Sequence, residues 1–415
     1  MSSVKRESII IVGNGVAGNT AMESIRRHKP SARVSMLSDE PFPLYSACVL
    51  SQYVSGQLAR ERTFLKTMYH YRGVETRLGK TVTGIDLNDR SVKVGREKLY
   101  FDKLILATGG EAVKPPIEGM RGPGVFVLKT IKDADELARC EATDGVVVGS
   151  GPTGIEVAVA LRKRGLRVSL VELLDSVLPM VFDKEAGIRI VKILEKNGVR
   201  VITGEKVTRI VRKRGLVQAV ETDRRKIGCQ MVVWTVGVKP RTDLARAAGI
   251  VTGTLGGVQV TERMETNQPG VYACGDCAEF VDPIDKRSYL QLFWLNARQM
   301  GRVAGSICAG LVTSYAPVQP GTVLDLFGHT VASIGVTSTG RGGENGTRVI
   351  EREAGSVYSR VVTRGGSLAA AQFVGGLAEA GPIAVLIRAG FPLERLPEHM
   401  RTHPVASRCG WLTEG

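Results

Sequence analysis

Two glycine-rich stretches carry the first chemistry legible in this 415-residue chain: Gly13-Asn14-Gly15-Val16-Ala17-Gly18 and Gly149-Ser150-Gly151-Pro152-Thr153-Gly154. Glycines at this spacing make a tight turn, let backbone amides approach a pyrophosphate and close a helix against a strand. The pattern predicts two dinucleotide sites. Gly13, Gly15 and Gly18 serve one; Gly149, Gly151, Pro152, Thr153 and Gly154 serve the other. Glu172 ends an apolar run about 20 residues beyond the second stretch, where an acid meets a ribose. A carboxylate there accepts hydrogen bonds from a 2′-hydroxyl and repels a 2′-phosphate, which favours NADH over NADPH. In the first copy Ser38 holds that place, with Asp39 or Glu40 displaced to take its role.

The seven cysteines stand at 48, 140, 229, 274, 277, 308 and 409. An odd number at irregular spacing is no disulfide framework. Cys274 and Cys277 form a C-x-x-C, but no second pair completes a zinc site, and no metal is expected.

Elements must place these residues. Ser8–Val12 is an apolar β-rich run, followed by the glycine turn, a helical stretch to about His28 and a strand over Arg33–Leu37. The order returns with Gly145–Val148, a helix to Arg164 and a strand over Arg167–Val171, so one strand–turn–helix–strand unit occurs twice. Between the copies, Val82–Leu87, Ser91–Val94 and Lys103–Leu106 read as strands. Pro115-Pro116 and Lys239-Pro240 mark two chain crossings. Strands over Gly257–Val260 and Gly270–Ala273, a helix over Leu295–Ala309 and a linker over Pro317–Pro320 follow. The last hundred or so residues alternate like antiparallel strands, with a hairpin over Val357–Val362 and Leu368–Phe373 and a helix over Pro382–Ala389.

Hydrophobic residues make up 43% and charged residues 23%, an ordinary globular balance, so the length implies two or three domains. Lys plus Arg is 56 against 41 Asp plus Glu, a net charge of +15. Such a charge suits an acidic partner, a small electron carrier or nucleic acid; the simpler reading is a solvated basic surface. Met1–Glu7 is polar, with no signal peptide, and no apolar run approaches a membrane span, so the expected location is the cytoplasm.

Further segments carry a resemblance. Tyr100-Phe101-Asp102-Lys103-Leu104-Ile105-Leu106-Ala107-Thr108-Gly109-Gly110, Trp234-Thr235-Val236-Gly237 and Thr266-Asn267-Gln268-Pro269-Gly270-Val271-Tyr272-Ala273-Cys274-Gly275-Asp276 resemble motifs of the pyridine nucleotide–disulfide oxidoreductase superfamily. With the two glycine stretches, the likeness runs from residue 8 to about 310. It implies an α/β fold with two Rossmann-like domains, one for FAD and one for NADH, and a C-terminal α+β interface domain. The implied boundaries are 1–112 and 242–317 for FAD, 113–241 for NADH and 318–415 for the last domain. It also implies an enzyme that transfers a hydride from NADH to the flavin N5, the protein supplying binding and orientation. Ala107, Thr108 and Gly109 would lie near FAD and Gly237 near the nicotinamide. Asp276 would bond the ribityl chain, with the helix after it aimed at the flavin ring; Val82 would touch the adenine, and Glu156 would sit near the nicotinamide. Cys274 and Cys277 then read as packing residues.

The electron acceptor is the divergent part. The C-x-x-x-x-C of disulfide reductases is absent, and Cys48 lies eight residues before Gly56. That resembles the single-cysteine branch, which includes coenzyme A disulfide reductases, NADH oxidases, peroxidases and polysulfide reductases. Cys48 is therefore the candidate catalytic residue, a thiol relay whose pKa the first turn of a helix would lower; the alternative is a structural cysteine. The same segment resembles ferredoxin and rubredoxin reductases and the flavin part of nitrite reductases. There Tyr45, Leu50 and Ser51 agree, but Ala47, Cys48 and Gln52 replace the usual Arg, Pro and Lys. Trp294-Leu295-Asn296-Ala297 resembles the Trp-x-Asn-Ala of those reductases.

Phe327–Gly335 resembles the start of the family's interface domain, which predicts a homodimer, while His403–Ser407 reads as a terminal loop. Four functions fit. The first is an NADH:acceptor oxidoreductase that passes electrons through Cys48 to a disulfide, polysulfide or peroxide/oxygen. The others are a reductase of a small redox protein such as ferredoxin or rubredoxin, the flavin subunit of a larger dehydrogenase complex, and a nucleic-acid-binding redox flavoprotein.

Overall fold

The computed structural model describes residues 6–283, 286–335, 347–355 and 357–395. His403–Ser407 and Cys409 lie outside the described residues. The first sheet is parallel and runs Val271–Ala273, Lys103–Leu106, Ser8–Val12, Arg33–Ser38, Glu75–Leu78. The second repeats that plan: Val199–Ile202, Arg167–Val171, Asp144–Val148, Met231–Trp234, Val125–Phe126. In each, the strand before the glycine turn is central and buried on both faces, which is why Ile9, Ile10, Ile11 and Val146, Val147 form apolar runs without alternation. Two Rossmann-like units in a mixed α/β chain are thus present.

Each half also carries an antiparallel three-stranded excursion. One comprises Val82–Asp86, Ser91–Val94 and Glu97–Tyr100; the other Val207–Lys213, Leu216–Thr222 and Lys226–Gly228. The chain passes between the halves twice, and the two passages pair with each other: Gly110–Ala112 runs antiparallel to Val238–Pro240. Glu111 and Lys239 are opposed in this ribbon and form an ion pair at 2.8 Å.

The last five strands make an antiparallel sheet in the order Gly321–Leu326, His329–Gly335, Ser367–Val374, Val357–Arg364, Thr347–Ala354, with the helix Ala380–Arg388 against it. Leu324, Leu326, Val331, Tyr358 and Val374 share one core with Ile155, Val159, Phe182 and Ile190 of the second half. Arg360 bridges Asp183 at 3.1 Å and Lys163 bridges Asp325 at 3.4 Å across the same contact.

The residues between Phe42 and Arg72 form short helical turns; Leu50–Val54 and Arg60–Thr63 lie over the second half, while Tyr71 packs in the core of the first. Arg60 holds Asp135 through two nitrogens at 2.8 and 3.0 Å, and the Tyr53 hydroxyl donates to the same carboxylate at 2.8 Å. Leu50 and Val54 enter the core of the second half. This packing sets the position of Cys48.

The structure puts two strands, Ala278–Val281 and Ser288–Leu290, between Asp276 and the next helix, Trp294–Cys308. Asp276 itself stands in a three-residue 3-10 turn, too short to direct a dipole. Among the described residues no helix is long and apolar enough to cross a membrane.

Candidate functional site

The helices that follow the two glycine turns, Val16–His28 and Pro152–Lys163, begin on Gly15 and Gly151, and neither has a side-chain cap or an acid in its first turn. Two other helices are capped, while Trp294–Cys308 and Ala380–Arg388 are not: Thr130 and Asp133 form a capping box on Ile131–Ala138, and Asp183 accepts from Ala186 N on Lys184–Lys196. Uncapped amides at a helix N-terminus carry partial positive charge and suit a phosphate. A Cβ on Gly18 would lie 2.0 Å from the Gly13 carbonyl oxygen, and one on Gly154 would lie 1.9 Å from that of Gly149. Backbone meets backbone at both places, so the turns close only on glycine.

The first turn opens into a cavity of about 740 Å³. Gly13 and Gly15 lie in its wall; Gly18 stands behind it, closing the helix on the turn. Ala107, Thr108 and Gly109 line it from the neighbouring strand end, Val82 from the excursion and Asp276 from beyond the last strand. Asp39 and Glu40 line it too. Their carboxylates are differently engaged: the Tyr45 hydroxyl donates to both oxygens of Glu40 at 3.0 Å, while Asp39 meets Arg241 at 3.4 Å. Burial holds the Glu40 carboxyl above its usual range. Trp294 also reaches the cavity, and buried Asn296 accepts from Tyr315 and Val318, anchoring the chain that leads to the last sheet.

Around the second turn, Glu172 follows its strand, and one carboxylate oxygen accepts from both the amide and the hydroxyl of Ser150 at 2.7 Å. The other accepts from Leu174 N at 2.9 Å. The acid is thereby fixed beside Gly149, Gly151, Pro152, Thr153 and Gly154. Gly237 follows the strand Met231–Trp234, and its carbonyl accepts from Val113 N at the crossing ribbon.

Cys48 is where the two halves meet. It lies in the 3-10 turn Ala47–Val49, lines the cavity and presents its exposed side there. The expected lowering of its pKa by a helix does not hold. The helix that follows, Leu50–Val54, has five residues and begins two positions later. Burial raises the thiol, and the Glu156 carboxylate raises it further; a hydrogen bond with Ser46 and the charge of Lys129 act the other way. The carboxylate of Glu156, on Pro152–Lys163, takes part in no side-chain hydrogen bond or ion pair among the described residues, and burial alone lifts it to about 7. Cys274 and Cys277 are fully buried, and the Cys277 thiol donates to the carbonyls of Leu106 and Cys274, as packing residues do.

Two cavity residues were not legible in the sequence. Lys129, from the second half, donates to Asp276 of the first at 2.8 Å. Arg241, at the end of the return crossing, accepts from the Thr108 hydroxyl at 2.7 Å through its carbonyl. Both follow ordinary strand ends and match no motif.

Residues 7–301 match the pyridine nucleotide-disulphide oxidoreductase family. The chain belongs to it. This pyridine nucleotide-disulphide oxidoreductase is similar to the NADH oxidase of Methanocaldococcus jannaschii, 32% identical over an aligned length of 342 that covers 79% of this chain and 76% of that one. Against the nitrite reductase [NAD(P)H] large subunit of Klebsiella oxytoca it is 30% identical over 94% of its length but spans only 41% of that protein. It and subunit epsilon of the NADH-dependent phenylglyoxylate dehydrogenase of Aromatoleum evansii cover 97% of each other at 27% identity. Among solved structures, an NAD-dependent persulfide reductase from A. fulgidus superposes with a TM-score of 0.87 at 26% identity, covering 94% of this chain and 78% of that one. The oxidoreductase is an FAD-dependent NAD(P)H enzyme, with FAD and NADH as cofactors.

Proposed function

We propose that this flavoprotein reduces a sulfur–sulfur or peroxide bond with electrons from NADH, and that Cys48 is the relay. The observation that carries this is the place of Cys48 in the wall of the cavity that Gly13, Thr108 and Asp276 also line. When bound, FAD takes two electrons from NADH and supplies them to the acceptor. The first glycine turn would hold its pyrophosphate, Asp276 its ribityl chain and Val82 its adenine; the second turn and Glu172 would hold NADH, with Glu156 and Gly237 beside the nicotinamide. The Cys48 thiolate attacks one sulfur of a disulfide, forming a new S–S bond and expelling the other half as thiolate. Two electrons and a proton then release the second thiol and restore Cys48. Turnover with disulfide, polysulfide, peroxide and dye acceptors, beside thiol titration of the NADH-reduced protein, tests this reading. No gain of a thiol on reduction, with dyes as the sole acceptors, would overturn it. The reading carries the cytoplasm with it, where thiols stay reduced.

A second reading rests on the likeness to subunit epsilon. The alignment, which covers 97% of each chain, favours an electron-entry subunit that passes electrons to partner subunits or a small redox protein. Copurification of other subunits, with dye activity alone in the isolated chain, would select it.

Two expectations follow from the site and the last sheet. Glu172→Ala should relax the choice between cofactors: the preference for NADH in flavin reduction should fall roughly tenfold, the weight of one hydrogen-bonding carboxylate. A parent protein that prefers NADPH would reject the role of Glu172. The chain should also form a homodimer through the last sheet and its helix, whose Val323, Val349 and Val385 stay exposed. Light scattering at micromolar concentration that shows monomer alone would refute this.

A further inference from the structure

Cys48, Glu156, Lys129 and Asp276 form one cluster of titratable groups at the junction of the two halves. Cys48 comes from the turn Ala47–Val49, Glu156 from the helix Pro152–Lys163, and Asp276 from the turn after Val271–Ala273. Lys129 arrives just ahead of the capped helix Ile131–Ala138, where its own amide donates to Asp133 at 3.0 Å. Its side chain crosses from the second half to Asp276 and lines the cavity with Cys48.

The turn and short helix that carry Cys48, Ala47–Val49 and Leu50–Val54, contain no Lys or Arg, so that segment brings no cation of its own there. Two of the cluster's charged members are carboxylates, and both oppose ionisation of a nearby thiol. Lys129 is the cation of the cluster, and its ion pair with Asp276 cancels part of that opposition. We propose that Lys129 is a positioning residue of the sulfur site: carried into the FAD cavity by the nucleotide-binding half, it supplies the positive charge against which a Cys48 thiolate forms. The proposal rests on the relay reading above. It adds that the reactive form of Cys48 depends on the two halves being closed on each other, because its counter-charge comes from the opposite half.

The test is the pH profile of Cys48 alkylation by iodoacetamide, followed by mass spectrometry at the Cys48 peptide in FAD-loaded protein. Lys129→Met should move the midpoint up by about one pH unit, a loss of roughly tenfold in rate at neutral pH. Lys129→Arg should restore most of it, and Glu156→Gln should move the midpoint down. Opposite signs from two neighbouring substitutions are not the mark of a general loosening. If Lys129→Met lowers FAD occupancy, both proteins are compared after FAD removal. A Lys129→Met profile that superimposes on the parent's, in either form, overturns the proposal. Failure of the relay reading looks different: Cys48→Ser would then keep turnover with every acceptor, whatever the alkylation profile.

Discussion

Cys48→Ser is expected to abolish disulfide, polysulfide and peroxide turnover while FAD content and NADH-driven dye reduction stay within about twofold of the parent, the loss in the first set being on the order of a thousandfold. The split follows from where the side chain stands. Cys48 lines the cavity, and among the described residues no hydrogen bond joins it to the glycine turn, so a serine of nearly the same shape leaves the cofactor site intact. What it loses is the nucleophile. A serine hydroxyl cannot form the sulfur–sulfur bond that the relay requires, and it cannot pass through the reversible oxidation states of a thiol. The raised thiol adds a second feature. Burial and Glu156 push the Cys48 pKa up, so the thiolate fraction grows as pH rises, and relay turnover should increase with pH where dye reduction does not. Rates measured with both acceptor classes across a pH series would show this. Full activity of Cys48→Ser with every acceptor sinks the relay and leaves transfer to a carrier protein or partner subunit.

Asp276→Ala should weaken FAD binding on the order of 10- to 100-fold, the cost of removing a hydrogen bond to a charged group. Among the described residues the Asp276 carboxylate has Lys129 as its ion-pair partner and otherwise borders the cavity. It belongs to no core cluster, so the fold should survive its loss. The variant should purify with little yellow colour and take up FAD only at raised concentration, which a fluorescence titration of added FAD would measure. Asp276→Asn keeps a hydrogen-bond acceptor and should fall between the two. Undiminished FAD affinity in Asp276→Ala would show that the residue serves only to hold Lys129.

By itself the sequence determined the two dinucleotide units, because their signals are local. A glycine turn is decided by backbone atoms a few residues apart, as the 2.0 Å approach at Gly18 and the 1.9 Å approach at Gly154 show. The strands Ser8–Val12, Ser91–Val94, Lys103–Leu106 and Arg167–Val171 were legible to the residue, since short segments rich in Val, Ile and Leu and bounded by turns read as strands whether the apolar residues run on or alternate. The second antiparallel excursion, Val207–Gly228, was not: eight Lys and Arg residues between 206 and 226 hide its alternation. Only the tertiary structure decided the chemistry around Cys48. A helix dipole is a local inference from sequence, but desolvation and the charges of Glu156, Lys129 and Asp276 act through space, from residues 81 to 228 positions away. The ion pair of Lys129 with Asp276 is of the same kind, joining residues 147 apart in the chain. Of the two carboxylates beside Ser38, Glu40 is engaged by Tyr45, five residues on, whereas the partner of Asp39 is Arg241, which only the fold brings to it from 202 residues away. Local backbone geometry is written in neighbouring residues; the field at a reactive sulfur is summed over whatever the fold packs around it.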